Sequence, residues 1–250
     1  MVMTIIFISV TIFSKTLIGV AENWPPFEYY TEVEGKYIET GRDLLILKAV
    51  LKRMGYNLKV RWLPWIRCLE MMKAKKADIL LDAAKTKERT GYLYFPDEPV
   101  SVMTNVFFFL KGRKIQFDKL EDIEGLTVAY IEDYYYEDEL KKLPVKLERV
   151  YDLDSAFRML LKSRVDLVID DVNVGLFRAR QLGIIDKIDY IKKPVTKVVP
   201  LYMAFAKKTG YDKLAEEFSE ELKKFKKTKE YFKIIKNYGL IKLGDVTLEK

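Results

Sequence analysis

KADILLDAAKTKERTGYLYFPDEP, residues 76–99, decides the fold. Its apolar run Ile79-Leu80-Leu81 ends in the small residues Ala83 and Ala84, the pattern of a strand that delivers the chain to a tight, accessible loop. The loop leads into Thr86-Lys87-Glu88-Arg89, where a hydroxyl and a Glu near the first turn read as a helix start. Arg89 is then presented beside a strand end. A planar guanidinium beside free backbone amides makes a carboxylate receptor, because the fork gives two parallel charge-assisted hydrogen bonds and the amides add donors. The alternative is that Arg89 pairs with a surface carboxylate.

Upstream, residues 16–21 (TLIGVA) read as a buried strand, broken by Glu22-Asn23-Trp24-Pro25-Pro26-Phe27-Glu28. Two prolines fix an extended loop at the strand's carboxyl end, where open α/β sheets place their ligands. Trp24 is held there, whereas Phe27 belongs in the core. Gly41-Arg42-Asp43 starts a helix with Leu44, Leu47, Val50, Leu51 and Met54 on one face and Gly55 at its end. A strand over 58–62 follows, and Pro64-Trp65-Ile66-Arg67 sits at the same sheet edge as Trp24. Two tryptophans at adjacent strand ends suit a flat or aliphatic ligand, with cation–π attraction if it is an ammonium. Arg67 either faces that ligand or lies one helical turn behind it. A helix over 66–75 returns to the organising strand, and the βαβ rhythm argues a parallel sheet.

Downstream, residues 102–110 (VMTNVFFFL) form one strongly β-forming run. A second unit opens at Leu120-Glu121-Asp122-Ile123-Glu124-Gly125, with strands over 126–131 and 145–150 and a helix over 152–161. Between them Glu132-Asp133-Tyr134-Tyr135-Tyr136 supplies acid and phenol groups. Residues 165–171 (VDLVIDD) read as a buried strand ending in two carboxylates, which is costly unless a cation or several donors sit opposite. Asp171 is therefore either a ligand for a cation or the cap of a helix over 172–182. A further strand over 200–208 and helices over 211–226 and 229–238 complete the chain.

Composition removes whole classes of chemistry. The 250 residues contain no histidine and one cysteine, Cys68, so an internal disulfide, imidazole catalysis and the common zinc sites are absent. The formal charge of +7 is spread among interleaved acids without a reader motif, which argues against nucleic acid. Residues 1–14 (MVMTIIFISVTIFS) are an uncharged apolar run too short to span a bilayer, and read as a signal-peptide remnant of an exported chain.

Asp78 to Arg89 with Phe95-Pro96-Asp97-Glu98-Pro99 resembles a segment of the extracellular solute-binding proteins of family 3, D-x-x-x-G-x-S-x-T-x-E-R followed by F-S-x-P. Further blocks recur in the same order, among them N-W-P-P-F at Asn23 to Phe27 and S-R-V-D-L-V-I-D-D at Ser163 to Asp171. The resemblance implies an α/β protein of two Rossmann-like lobes joined by two crossover strands, the periplasmic binding protein-like II fold. It places residues 15–108 with 202–250 in lobe 1 and 109–201 in lobe 2. It implies a monomeric periplasmic receptor that closes over an amino acid or related amine and delivers it to an ABC permease in the inner membrane, without cofactor or metal. A ligand-sensing module and a dehydratase-like periplasmic enzyme use the same scaffold.

In that family the aromatic at Trp24 stacks on the ligand, Trp65 takes an apolar wall position, Arg89 takes the carboxylate, and Asp171 takes the α-ammonium. The expected site is Trp24, Trp65, Arg67, Asp82, Ala84 and Arg89 from lobe 1, facing Asp133, Tyr134 and Asp171 from lobe 2. This chain departs from the pattern at Asp82, where relatives have glycine, at Ala84, where they have serine, and at Asp133, near the usual anion-binding turn. A site poorer in donors and richer in carboxylates favours a ligand more positive than a neutral amino acid, or one without a free α-carboxylate.

Overall fold

The computed structural model describes residues 15–131, 134, 145–195 and 197–240. Two mixed sheets organise them, one in each lobe. In the first, strands run in the order β4-β1-β5-β13-β6. Here β1 is Lys15–Ala21, β4 Tyr56–Trp62, β5 Ile79–Ala84, β6 Leu93–Tyr94 and β13 Val199–Ala206. β1 pairs in parallel with β4 and β5, as the βαβ rhythm requires, and β13 returns antiparallel beside β5. Every residue of β5 is buried, which is why it reads as a continuous apolar run with one discordant residue, Asp82.

Helix α1 (Arg42–Arg53) covers this sheet with Leu44, Leu47, Val50 and Leu51, against Leu214, Phe218, Leu222 and Phe225 of the later helix Tyr211–Phe225. Its start is tied to the proline loop, since Arg42 N–H donates to Pro26 O at 2.9 Å and Asp43 N–H to Phe27 O at 2.8 Å. Gly41 makes that approach possible: its φ is 123°, and a Cβ there would lie 2.3 Å from Phe27 O. On the other face, α2 (Trp65–Lys73) buries Cys68 and Met72. Burial pushes the Cys68 thiol up to about 12 and keeps it inert at neutral pH.

The second sheet has the order β10-β9-β11-β8-β12. Its members are β8 Asn105–Leu110, β9 Thr127–Ile131, β10 Lys146–Val150, β11 Leu167–Asp171 and β12 Ile188–Tyr190. α3 (Leu153–Leu161) and α4 (Val172–Gln181) pack on it through Phe157, Leu160, Val174 and Ala179.

Three local expectations differ. The single strand over 102–110 divides at Thr104: β7 (Ser101–Met103) pairs with β13 in the first sheet, and β8 pairs with β11 and β12 in the second. The backbone of Thr104 is taken out of the ladder, because its N–H donates to Asp171 Oδ2 at 2.8 Å and its carbonyl accepts from Val172 N at 3.0 Å. The chain thus changes sheet at Thr104, and β13 has rejoined the first sheet by Val199. Second, the helix start at Thr86 yields only a 3-10 turn, Arg89–Gly91. Thr86 Oγ1 does accept from Arg89 N at 3.2 Å, but β6 begins two residues after Gly91 and pulls the chain back into the sheet. Third, a hairpin of β2 (Tyr29–Val33) and β3 (Lys36–Thr40) was not anticipated. Its turn places Glu34 and Gly35 at φ 52° and 72°, the two-residue geometry that suits hairpin twist.

The basic residues near the carboxyl end are matched by acids: Lys223 pairs with Glu220, and Lys226 with Glu98. No helix of the described residues is long and apolar enough to cross a membrane.

Candidate functional site

A small cavity of about 40 Å³ opens beside the carboxyl ends of β1 and β5. Trp24, Trp65, Asp82, Ala84, Arg89 and Tyr134 line it, and Glu22, Glu28, Met103 and Leu201 complete the wall. A larger cleft of about 530 Å³ adjoins it through Glu22 and Trp65 and runs out past Trp62, Tyr151 and Asp152.

The proline loop after β1 contributes the first wall. Phe27 is fully buried, and the Trp24 ring stacks on it with centroids 4.6 Å apart and planes at 23°. Trp24 is therefore held by its core neighbour while its edge meets the cavity. Its Nε1 is buried and has no hydrogen-bond partner among the described residues.

Arg89 is 6% exposed, and Nη1 donates to Ala84 O at 3.0 Å. Its guanidinium carbon lies 5.2 Å from the Trp65 ring, a cation–π contact that fixes the plane of the fork. Trp65 in turn meets Tyr134 edge-on at 6.5 Å. Tyr134 donates its hydroxyl to Glu22 Oε2 at 2.6 Å, a bond between segments associated with different sheets. Burial raises Glu22 above the usual carboxylate range against the lowering effect of that bond.

Asp82 has φ 46°, left-handed for a non-glycine residue, and coincides with an irregularity in the β5–β13 register between Tyr202 and Ala204. It is a bulge residue in the conformation glycine normally supplies, and the strain is on the order of 1 kcal/mol. The side chain is 6% exposed, and both carboxyl oxygens lack a hydrogen-bond partner among the described residues. Glu28, 2% exposed, faces it with Oε2 likewise unpartnered. Two acids can join only through a proton, and both pKa values stand well above the usual range. Burial is the main cause for each, followed by the charge of Asp43 on Asp82 and of Asp82 on Glu28. Glu28 was missed in sequence, although a Glu directly after a Pro-Pro-Phe turn was the available signal.

Other expected site residues lie elsewhere. Arg67 sits on the exposed side of α2, pairs with Glu70 at 2.6 Å and does not line the cavity. Asp171 is fully buried as the N-cap of α4, and Oδ1 accepts from Asn173 N at 2.8 Å and Val174 N at 3.2 Å. With Thr104 N on Oδ2, its carboxylate has three backbone donors and does not line the cavity. Those donors, and Arg42 beyond them, oppose burial, which still pushes it up to about 6. Asp133 lies outside the described residues. Among the described residues no group of three or more His, Cys, Asp or Glu side chains is arranged to hold a metal ion.

This architecture has solved counterparts. An ancestral arginine-binding protein bound to glutamine superposes with a TM-score of 0.76 at 25% identity, covering 90% of this chain and 98% of that one. The substrate binding protein of an amino acid ABC transporter gives a TM-score of 0.76 at 21% identity, covering 89% and 98%, and shows the fold. In sequence, the chain is 29% identical over 116 residues to the arginine-binding extracellular protein ArtP of Bacillus subtilis (strain 168). That alignment covers 46% of this chain and spans 43% of the relative's length. The profile of the bacterial extracellular solute-binding proteins, family 3, matches residues 17–241, nearly the whole chain, and the chain belongs to that family.

Proposed function

We propose that this chain is an exported receptor that encloses a small amino-acid-like compound between its two lobes and presents the closed form to an ABC permease. The lobes divide at Thr104 and again between Tyr190 and Val199. Arg89 holds the ligand's carboxylate, Trp24 and Trp65 flank its aliphatic part, and Tyr134 reaches over it from the opposite side. The observation that carries this reading is the buried Arg89 guanidinium, fixed by Ala84 O and the Trp65 ring at the wall of a cavity that adjoins a cleft of about 530 Å³. Family membership and the arginine-binding relatives support it. Contacts from both lobes make affinity depend on closure, and closure is the signal a membrane partner reads.

Native mass spectrometry of the purified protein, followed by thermal shift against amino acids, amines and their decarboxylated analogues, tests the assignment. A carboxylate-bearing amino compound is expected to raise the melting temperature and to be recovered chemically unchanged. Absence of any shift across the panel, or conversion of the compound to a product, overturns the receptor reading.

A further inference from the structure

Asp82 and Glu28 are more than ninety per cent buried, line the cavity, and leave both oxygens of Asp82 and Oε2 of Glu28 without a described hydrogen-bond partner. Buried polar atoms in a folded protein are nearly always paired, and with no N–H donor on them among the described residues these oxygens can be paired only by a proton shared between neighbouring acids. The charged groups facing them come from three elements. The loop after β1 adds Glu22, α1 adds Asp43 and Arg42, and the turn after β5 adds Arg89. Arg42 gives two N–H groups to Asp43, and Arg89 Nη1 is directed to Ala84 O. The charge of Arg42 lowers Asp82, but burial and the neighbouring acids outweigh it. Asp82 also sits where the backbone conformation calls for glycine, so its carboxyl is retained against the local preference.

Resting on the receptor reading above, we propose that Asp82 and Glu28 form a cation subsite on the cavity floor, which takes an ammonium, amidinium or guanidinium group of the ligand and gives up a proton to solvent as it does. Without ligand, one carboxyl of the pair holds a proton and donates it to the other. The incoming group arrives already protonated. Its N–H donors replace the shared proton, and the departing proton leaves a pair whose extra negative charge matches the ligand's positive one. Apart from this O–H proton passing to water or buffer, no covalent bond is made or broken. A ligand carrying both a carboxylate and a second, distal cation would reach Arg89 and the subsite together. Affinity for such a ligand rises with pH while the pair is losing its proton, and affinity for an isosteric neutral ligand does not.

Isothermal titration calorimetry with L-arginine, its neutral isostere L-citrulline and the carboxylate-free agmatine, each in phosphate and in Tris at pH 7, tests the proposal. L-arginine is expected to bind at least tenfold tighter than L-citrulline, with a buffer-dependent enthalpy that reports proton release. Asp82→Asn and Glu28→Gln are expected to bring that preference close to unity and to remove the buffer dependence. Asp82→Gly serves as the folding control, because it relaxes the strained residue and should melt no lower than the parent while losing the preference. Equal binding of L-arginine and L-citrulline by the parent protein overturns the subsite and leaves the receptor standing, as does a preference that survives Asp82→Asn. If no compound of the set or of the wider panel binds, the receptor reading fails and the subsite with it.

Discussion

Tyr134 and Glu22, 112 positions apart in sequence, meet through a 2.6 Å hydrogen bond at the edge of the cavity. The phenol belongs to the segment after β9 of the second sheet, and the carboxyl to the loop after β1 of the first. The bond therefore ties one lobe to the other, and the edge-on contact of Tyr134 with Trp65 reinforces it. Tyr134→Phe keeps the ring and removes the tie. The variant is expected to have a larger radius of gyration than the parent in ligand-free small-angle X-ray scattering, and identical scattering curves would rule the tie out.

Arg89→Ala removes the carboxylate fork and leaves Ala84 O without its donor. A charged hydrogen bond of this kind contributes about 1.5–3 kcal/mol, so affinity for a carboxylate-bearing ligand should fall at least tenfold in calorimetry. Arg89→Lys is not expected to rescue binding, since an ammonium cannot reproduce the planar two-point contact held over Trp65. Full affinity in the lysine variant would place the carboxylate elsewhere.

The buried acids set the sign of the pH dependence. Asp171 is pushed up to about 6 in the folded protein, from 3.8 when solvated. Between those values the folded state holds more protons than the unfolded one, so this contribution is complete below about pH 4 and is lost as pH rises through about 6. Asp82, Glu28 and Asp170 shift in the same direction, chiefly through burial. Asp78 opposes them: burial works against its carboxylate, but the Ile18 amide, Lys208 and Tyr211 outweigh it and hold it low. Its contribution is present above 3.8 and fades below. The ligand-free melting temperature is thus expected to decline from pH 5 to pH 7.5. Asp171→Asn should flatten that decline and lower stability by about 1–3 kcal/mol in urea titrations, because one of three backbone donors loses its acceptor. A melting temperature that climbs over the same interval would contradict the assignment.

Gly175 lies in α4, where a Cβ would come 2.1 Å from Phe108 Cζ. Gly175→Ala is expected to destabilise the second lobe by about 1–3 kcal/mol through overpacking, despite the better helix propensity of alanine. Phe108→Leu should recover part of the loss when combined with it, and a purely additive double mutant would show that the two do not touch.

The order of strands and helices was legible because apolar runs and their punctuation report burial directly. The αβ alternation through β1, α1, β4, α2 and β5, and Trp24, Trp65 and Arg89 at one cavity, follow from that pattern. Three things were hidden. The run over 102–110 is broken only by the polar pair Thr104-Asn105, which fits a strand as well as a change of partner; the cause of the change is a carboxylate in another strand. Glu28 reads as an ordinary turn residue until β5 brings Asp82 opposite. Asp171 carries the same letters whether it caps a helix or faces a ligand, and the cap becomes visible only with the three N–H groups around it.

Thr104 also fastens the junction between the sheets to one of them. Its peptide is stitched on both sides to the beginning of α4, which anchors the start of β8 to that helix. The far flank of α4 rests Phe177 against Tyr29 of the hairpin, with ring centroids 5.6 Å apart. This contact makes the hairpin of the first lobe a second point, apart from Tyr134 and Glu22, at which the two lobes touch.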